Sequence, residues 1–161
     1  MKRGGRAKKA ASYKGRRSPC LVCQQPSITK PLRSVQDILV CLRPFREKRQ
    51  EYLVTLSLDS AGRLIRRRVV TIGLLNVSLV HPREVFAGPL MDCAASVIIC
   101  HNHPSNDAEP SEEDILTTQQ LIAAGTLLGT PVEDHFIVTR SGYFSFREQG
   151  LIGKAIQRAN G

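Results

Sequence analysis

The stretch AASVIICHNHPSNDAEPSEED, residues 94–114, joins a short apolar run to a polar loop and then to the start of a helix. Residues 94–100 include β-branched side chains and no charge, which predicts a central strand buried on both faces. Residues 101–110 are rich in Pro, Asn and Asp, as is typical of a loop. Ser111 then begins the longest predicted helix, which ends near Gly129. Ligand crevices in α/β sheets generally form at the carboxyl end of such a strand.

Two histidines stand at the end of this strand, separated by one residue. His101 and His103 are at i and i+2, so both imidazoles project to the same side of an extended backbone. Asp114 follows in the first turn of the next helix, and the loop returns its carboxylate toward the two rings. Two histidines and one carboxylate leave a fourth tetrahedral position for water, which is the arrangement of catalytic zinc sites. We therefore predict one Zn²⁺ ion at these three residues, lowering the pKa of water from about 15.7 toward roughly 7.

The same segment also has the pattern of an ordinary helix start. Ser111 suits the N-cap position, and an acid at the N3 position, here Asp114, is favoured by the helix dipole. A single histidine beside such a start is usually structural, whereas two in this spacing favour a metal. The two interpretations are compatible, because the carboxylate of Asp114 has two oxygen atoms.

Outward from this stretch, the hydrophobic periodicity predicts the order α, β, β, α, β, α, β, β. A helix begins after the N-cap Ser34, with Asp37 at N3, and stops before Pro44. The other elements are a hairpin of strands 51–59 and 63–72, a helix from His81, the strand and helix described above, a second hairpin at 135–146 and a weak terminal helix at 148–161. The arginines at 66–68 are interpreted as a solvated sheet edge. This order indicates the α/β class, a sandwich of a mixed sheet with helices on its faces.

Charge is unevenly distributed along the 161 residues. Residues 1–18 carry eight Lys or Arg and no acid, whereas the rest of the chain has 15 basic and 14 acidic residues. The net charge of +9 therefore belongs to a tail. We divide the chain into a disordered basic tail with an irregular approach segment (1–30), one domain (31–150) and a carboxyl-terminal extension (151–161). The tail either contacts nucleic-acid phosphates without reading sequence or only keeps the protein soluble.

Five scattered cysteines argue against a disulfide framework. Their number is odd and no signal peptide precedes the first apolar run, so we predict reduced thiols and a cytoplasmic protein. Cys20 and Cys23 form a CxxC pair, but the second pair or the nearby histidines that would complete a zinc site are missing. No stretch approaches the roughly 18 consecutive apolar residues of a membrane span, so we predict no membrane partner.

Several separated motifs resemble those of one protein family. HNHPSNDAEPSEED at 101–114 is similar to the JAMM signature of the JAB/MPN metallopeptidase fold, in which HxHP is followed by SxxD. HPREVF at 81–86 and DHFIV at 134–138 look like the RadC branch of that fold. The resemblance covers about residues 34–150 and implies a mixed-sheet α/β sandwich of the JAB/MPN type, similar to that of cytidine deaminases.

The resemblance also implies roles for individual residues. His101, His103 and Asp114 match the zinc ligands of the family, and Ser111 matches the serine whose hydroxyl helps to hold the developing oxyanion. The family uses a glutamate at the start of an early strand as general base, and Glu51 matches it in QEYLVTLSLD.

Without the family, the identity of the base stays open. Glu47 lies one helical turn before Glu51, and Glu84 is nearer to the histidines in the chain, while a general base must reach the activated water in space. The sequence departs from the RadC pattern at Asn106, where that branch usually has Gly, and Asn tolerates the left-handed conformation of a tight loop. Full-length relatives carry a helix-hairpin-helix module for DNA, whereas here only the basic tail precedes the domain.

Three functions follow from these features. The first is a zinc-dependent hydrolase that cleaves an amide bond of a peptide or isopeptide substrate. The second is a zinc nucleobase deaminase, although that chemistry expects HxE followed by PCxxC, and residues 101–103 are HxH. The third is a DNA-associated accessory protein that binds through residues 1–18; the DNA-repair label of RadC-like proteins supports it only by association.

Overall fold

The computed structural model describes residues 30–73 and 80–153. Its elements are α1 (Val35–Leu42), β1 (Tyr52–Leu58), β2 (Leu64–Ile72), α2 (Pro82–Met91), β3 (Ser96–Asn102), α3 (Glu112–Leu127), β4 (Val132–Val138) and β5 (Tyr143–Ser145). The predicted order of helices and strands is confirmed, with a short 3-10 turn added after α1. In the described part of the chain, no helix has the length and apolarity to cross a membrane. Residues 1–29, with the basic tail and its CxxC pair, and 154–161 of the predicted extension lie outside the described residues.

The five strands form one sheet in the order β2-β1-β3-β4-β5. β3 and β4 are parallel and the other neighbouring pairs are antiparallel, so the sheet is mixed, as predicted. All seven residues of β3 are buried, because this strand has a neighbour on each side and a helical layer on each face. β3 extends through Asn102, two residues beyond the apolar run. Its pairing with β1 continues to His101, and its pairing with β4 continues to Asn102.

Alternate strand residues pack into two cores on opposite faces of the sheet. One core joins Leu53, Val97, Ile99 and Ile137 of the sheet to Phe86 of α2 and Leu121 of α3. The other joins Val54, Leu56, Ile98 and Phe136 of the sheet to Ile38 and Leu42 of α1. α2 and α3 therefore cover one face and α1 the other, which is the expected α/β sandwich of the JAB/MPN type.

The arginines of β2 are not the solvated edge that the sequence predicted. Arg68 forms a two-pronged ion pair with the buried carboxylate of Asp92 at the end of α2. Arg67 donates to the carbonyl of Cys41 at 2.6 Å, and Arg66 Nε lies 3.8 Å from Asp92. The prediction was wrong because the ends of α1 and α2 bring polar groups against this edge of the sheet.

Candidate metal centre

His101 and His103 present their rings at the carboxyl end of β3. The side chain of His101 is fully buried, whereas that of His103, just beyond the strand, is 15% exposed. The i, i+2 spacing in extended backbone sets both rings on one side. Their Nε2 atoms are 2.9 Å apart as a result.

The loop between β3 and α3 returns Asp114 to these two rings. Asn106, with a φ of 69°, adopts the left-handed conformation in this loop, and its Oδ1 accepts hydrogen bonds from the backbone and hydroxyl of Ser141. Asp114 lies in the first turn of α3, with Oδ1 3.2 Å from His101 Nε2 and Oδ2 3.6 Å from His103 Nε2. The structure therefore brings the three predicted ligands together at one point.

The spacing of these donor atoms suits a small tetrahedral cation. A zinc ion with bonds of about 2.0–2.1 Å holds neighbouring ligand atoms about 3.3 Å apart. The two Nε2 atoms are 2.9 Å apart, His101 Nε2 lies 3.2 Å from Asp114 Oδ1, and His103 Nε2 lies 3.6 Å from the other carboxylate oxygen, Oδ2. With one donor atom taken from each residue, all separations are within 4.8 Å. Two imidazoles and one carboxylate are also a donor set found in catalytic zinc sites. The residues present therefore fit a metal ion.

The electrostatics of the centre favour a positive charge. Burial opposes ionisation of Asp114, but its contacts with both imidazoles and the hydrogen bond from Ser111 outweigh it and hold the pKa of Asp114 well below its usual range. The hydrogen bond to Asp114 raises the pKa of His103 against the effect of burial, and the charge of Glu51 adds to the rise. A metal ion bound here competes with a proton on His103.

Ser111 caps α3 and also contacts the candidate ligand. Its hydroxyl accepts from the backbone N–H of Asp114 at 3.1 Å and donates to Asp114 Oδ2 at 2.6 Å. Oδ2 also accepts from the backbone N–H of Ser111, which completes a capping box. Capping occupies Oδ2 while Oδ1 faces His101, so helix start and metal ligand coexist. The single hydroxyl proton of Ser111 is already donated, and reaching an oxyanion requires the hydroxyl to rotate away from Asp114.

Glu51 lies just before β1, at the edge of the sheet where the histidines are. Leu53 pairs with His101, and continuing this antiparallel register by two residues sets Glu51 opposite His103. Glu51 also lines an open cleft together with Arg49, Gln50, Gly73, Pro104 and Ser105. This position is consistent with the effect of its charge on His103.

The two other glutamates that the sequence left open lie elsewhere. Glu84 is exposed in the first turn of α2, on the helix layer rather than at the strand ends. Glu47 lines a neighbouring cleft with Arg46, Lys48, Arg49, Pro104 and Arg140. Strand register directs Glu51, and neither of these two, toward the histidines.

Asn102, between the two histidines, was given no role from the sequence. Its buried Oδ1 accepts from the backbone N–H of Tyr52 at 2.8 Å, and its Nδ2 donates to the carbonyls of Gln50 at 3.0 Å and Lys48 at 3.4 Å. The side chain thus binds the backbone on both sides of Glu51. The signal in the sequence was an amide that directly follows the apolar run and stands between two histidines, at a position facing away from them.

His135 was also missed, although DHFIV had marked its strand as a family motif. Its Nε2 lies 2.8 Å from His101 Nδ1, and its Nδ1 lies 2.6 Å from Thr118 Oγ1. Complete burial lowers the pKa of His135 well below its usual range. On the other ligand, His103 Nδ1 lies 2.8 Å from the carbonyl of Asp107. Each candidate histidine ligand therefore has a hydrogen-bond partner at its second ring nitrogen, as metal-binding histidines usually do.

Comparison with known proteins identifies the family and several relatives of this chain. The model of the RadC-like JAB domain family matches residues 32–151. A UPF0758 protein of Methanosarcina barkeri is 43% identical over 129 residues, which are 78% of this chain and 56% of that protein. A UPF0758 protein of Trichlorobacter lovleyi is 50% identical over 107 residues, 66% of this chain and 46% of that protein. The chain spans about half the length of the curated relatives it matches.

Proposed function

Because this chain belongs to the RadC-like JAB domain family, we propose that it is a zinc-dependent hydrolase that cleaves an amide bond in a peptide or isopeptide substrate. The observation that carries the proposal is the convergence of His101, His103 and Asp114, each of which offers one donor atom within 4.8 Å of the others. Two imidazoles and one carboxylate are a donor set of catalytic zinc sites. The open cleft lined by Glu51, Pro104 and Ser105 is the route by which we propose that a substrate approaches.

His101 and His103 would hold the ion through ring nitrogens, and Asp114 would hold it through its carboxylate. A zinc ion held there would supply Lewis acidity, which lowers the pKa of water toward roughly 7 and polarises the carbonyl to be attacked. Asp114 contributes its negative charge at neutral pH, because its hydrogen bonds keep it ionised. His101 is completely enclosed, and His103 is the ligand nearer to solvent and to the cleft.

Glu51 acts as the general base and then as the general acid. It takes one proton from the attacking water while the oxygen of that water forms a bond to the carbonyl carbon. It then gives the proton to the leaving nitrogen as the carbon–nitrogen bond breaks, so the products are a carboxylic acid, which keeps the second proton of the water, and an amine. Transfer of that second proton to the amine gives a carboxylate and an ammonium group. Its position opposite His103 and on the wall of the cleft supports this role.

Ser111 donates a hydrogen bond from its hydroxyl to the oxyanion that forms on the carbonyl oxygen. This donation needs a change of partner, since the proton is directed at Asp114 Oδ2. Removing one such donor typically lowers kcat by 10²–10³. The rotation leaves Asp114 Oδ2 with its backbone hydrogen bond from Ser111, so the cap of α3 is weakened but not lost.

The proposal is tested by comparing metal content and activity in three variants. We expect Asp114→Asn to lose stoichiometric zinc, and Glu51→Gln to keep zinc but lose hydrolysis of peptide and isopeptide substrates. Glu47→Gln is the matched control, because Glu47 lies four residues earlier in a neighbouring cleft, and it should keep both properties. Full zinc content in Asp114→Asn contradicts the ligand assignment. Unchanged hydrolysis in Glu51→Gln contradicts its role as base.

A second candidate function rests on the eight Lys or Arg within residues 1–18. Here the chain is a DNA-associated accessory protein whose tail neutralises backbone phosphates. Affinity for a DNA duplex should then fall steeply with salt, with a log–log slope no steeper than about −7 for eight contacts. Deleting residues 1–18 should abolish this dependence. A slope unchanged by the deletion rules out the tail as the binding segment.

We also assign the protein to the cytoplasm. Among the described residues, Cys41, Cys93 and Cys100 are free thiols, and two of them are buried. Free thiols are the usual state of cysteine in a reducing compartment. We therefore expect Cys41, Cys93 and Cys100 all to react with a thiol reagent when the protein is unfolded without prior reduction.

A further inference from the structure

Behind His101, away from the candidate ion, three buried groups form a continuous chain of hydrogen bonds. His101 Nδ1 lies 2.8 Å from His135 Nε2, and His135 Nδ1 lies 2.6 Å from Thr118 Oγ1. Thr118 Oγ1 lies 2.6 Å from the backbone carbonyl of Asp114, one turn earlier in α3. His101, Thr118 and His135 are at most 2% exposed, so water does not supply alternative partners. The chain therefore runs from one candidate ligand to the backbone of another.

The direction of these hydrogen bonds follows from counting protons. A carbonyl oxygen only accepts, so the single hydroxyl proton of Thr118 is donated to Asp114. Thr118 Oγ1 must then accept from His135, which places a proton on His135 Nδ1. A neutral imidazole has one N–H, so His135 Nε2 is bare and accepts from His101 Nδ1. His101 consequently has its proton on Nδ1 and a lone pair on Nε2.

Each direction leaves one contact without a proton, and the two differ in where that contact lies. In the direction above it joins His101 Nε2 to Asp114 Oδ1, where the ion would bind. If Thr118 donated to His135, the 2.6 Å contact between Thr118 Oγ1 and the carbonyl of Asp114 would join two oxygen atoms with no hydrogen between them. His135 would then carry its proton on Nε2, and His101 would carry its proton on the nitrogen that faces Asp114. A protonated nitrogen cannot bind a metal ion.

We propose that His135 is a positioning residue: with Thr118 it holds His101 in the tautomer whose bare Nε2 is directed at His103 and Asp114. This inference rests on the proposed metal centre and adds a residue to it. His135 itself does not touch the ion or the substrate. It orients the ring of the most deeply buried ligand and fixes where the proton of that ring resides.

The ring of His135 also packs flat against Phe146, with centroids 4.9 Å apart and planes inclined by 13°. This second contact allows packing and hydrogen bonding to be separated. His135→Phe keeps an aromatic ring against Phe146 but removes the acceptor for His101. His135→Gln loses the ring but supplies an amide oxygen that can accept from His101 Nδ1. Thr118→Val keeps the shape of the threonine and removes the group that fixes the tautomer of His135.

The first experiment determines the tautomer of His135 in the metal-free full chain. The ¹⁵N shifts of the labelled imidazoles distinguish a protonated nitrogen from a bare one. We expect His135 to carry its proton on Nδ1 in the wild type, and this preference to weaken in Thr118→Val. A proton on Nε2 of His135 in the wild type overturns the proposal. This result does not depend on whether the protein binds zinc.

The second experiment measures zinc affinity by competition with a chelating dye. We expect His135→Phe to bind zinc about 10–100-fold more weakly, in the range that loss of such a hydrogen bond typically causes. His135→Gln should recover part of that affinity even though it lacks the ring. Equal zinc affinity in the wild type and His135→Phe overturns the proposal, as does weaker binding by His135→Gln than by His135→Phe. If the wild type binds no zinc, the proposed function fails, while the tautomer measurement still decides the present inference.

Discussion

Asn102→Asp is expected to destabilise the protein in a strongly pH-dependent way. Asn102 is 1% exposed, and its Nδ2 donates to two carbonyls that an ionised aspartate would repel. A protonated aspartate can still donate to the carbonyl of Gln50 and accept from the backbone N–H of Tyr52. The folded variant should therefore favour the neutral form of this carboxyl, so the pKa of the carboxyl is higher in the folded state than in the unfolded state.

The size of the effect follows from the cost of keeping that carboxyl protonated. An aspartate of ordinary pKa near 3.9 needs about 4 kcal/mol to stay neutral at pH 7, at 1.36 kcal/mol per pH unit. The folded-state pKa is raised, so the penalty is absent below the unfolded pKa and grows as pH rises above it. We expect a loss of unfolding free energy of up to about 4 kcal/mol at pH 7, decreasing toward zero near pH 4.

Urea unfolding of the metal-free protein at a series of pH values measures this difference between variant and wild type. Asn106→Asp is the matched control, because Asn106 is exposed and its side-chain oxygen acts as an acceptor, which an ionised aspartate retains. Its effect should stay within about 0.5 kcal/mol at every pH, as is usual for exposed positions. A difference for Asn102→Asp that does not change between pH 4 and pH 7 refutes the hydrogen-bond assignment.

Three further predictions concern other parts of the molecule. Asp92→Asn should lower the unfolding free energy by about 3–5 kcal/mol at neutral pH, the usual cost of removing one partner of a buried ion pair. Hydrogen bonds from Arg68 outweigh burial and lower the pKa of Asp92. The difference in unfolding free energy between variant and wild type should therefore shrink as pH falls through that pKa, because the wild type then loses the ion pair as well. A difference that stays constant with pH in urea titrations argues against the pair. Gly125→Ala should cost about 1–3 kcal/mol in the same assay, because an added Cβ would lie 2.8 Å from the backbone oxygen of Thr130 and 2.9 Å from Phe86 Cζ. Gly142→Ala, with a nearest contact of 3.8 Å, should cost less. Zinc at about 100 times its Kd should raise the unfolding free energy by about 2.7 kcal/mol and a chelator should reverse the change, so a melting temperature insensitive to both excludes tight binding to the folded state.

The sequence predicted those features that depend on neighbouring residues. Period-two and period-3.6 patterns gave the order of the elements, and the run 94–100 marked the central strand before its partners were known. The candidate ligands His101, His103 and Asp114 lie within one strand-loop-helix unit, so spacing along the chain was enough to group them. Asn106 was expected to tolerate a left-handed turn, and it has a φ of 69°.

Features that depend on contacts between distant segments could not be read from local patterns. Glu51 is aligned with the histidines by strand register. Glu47 has the same side chain, and only its position in the folded structure, on a neighbouring cleft, distinguishes it. The pairing of Arg68 with Asp92 joins β2 to the end of α2, and periodicity alone assigned that arginine to solvent. His135 approaches His101 because β4 lies parallel to β3, which a histidine in an apolar run does not reveal.

The candidate ligands all fall between residues 101 and 114, whereas Glu51 comes from a strand that pairs with β3 across some fifty residues of chain. Closing the loop between β3 and α3 costs less entropy than closing the longer segment between β1 and β3. Assembly of the ligand set and placement of Glu51 are therefore separate steps of folding. A nascent or partly unfolded chain that has formed only β3, its loop and the start of α3 already has the donor set for an ion but lacks the base. Under the proposed function, hydrolysis would therefore require the pairing of β1 with β3, which brings Glu51 to the candidate ligands.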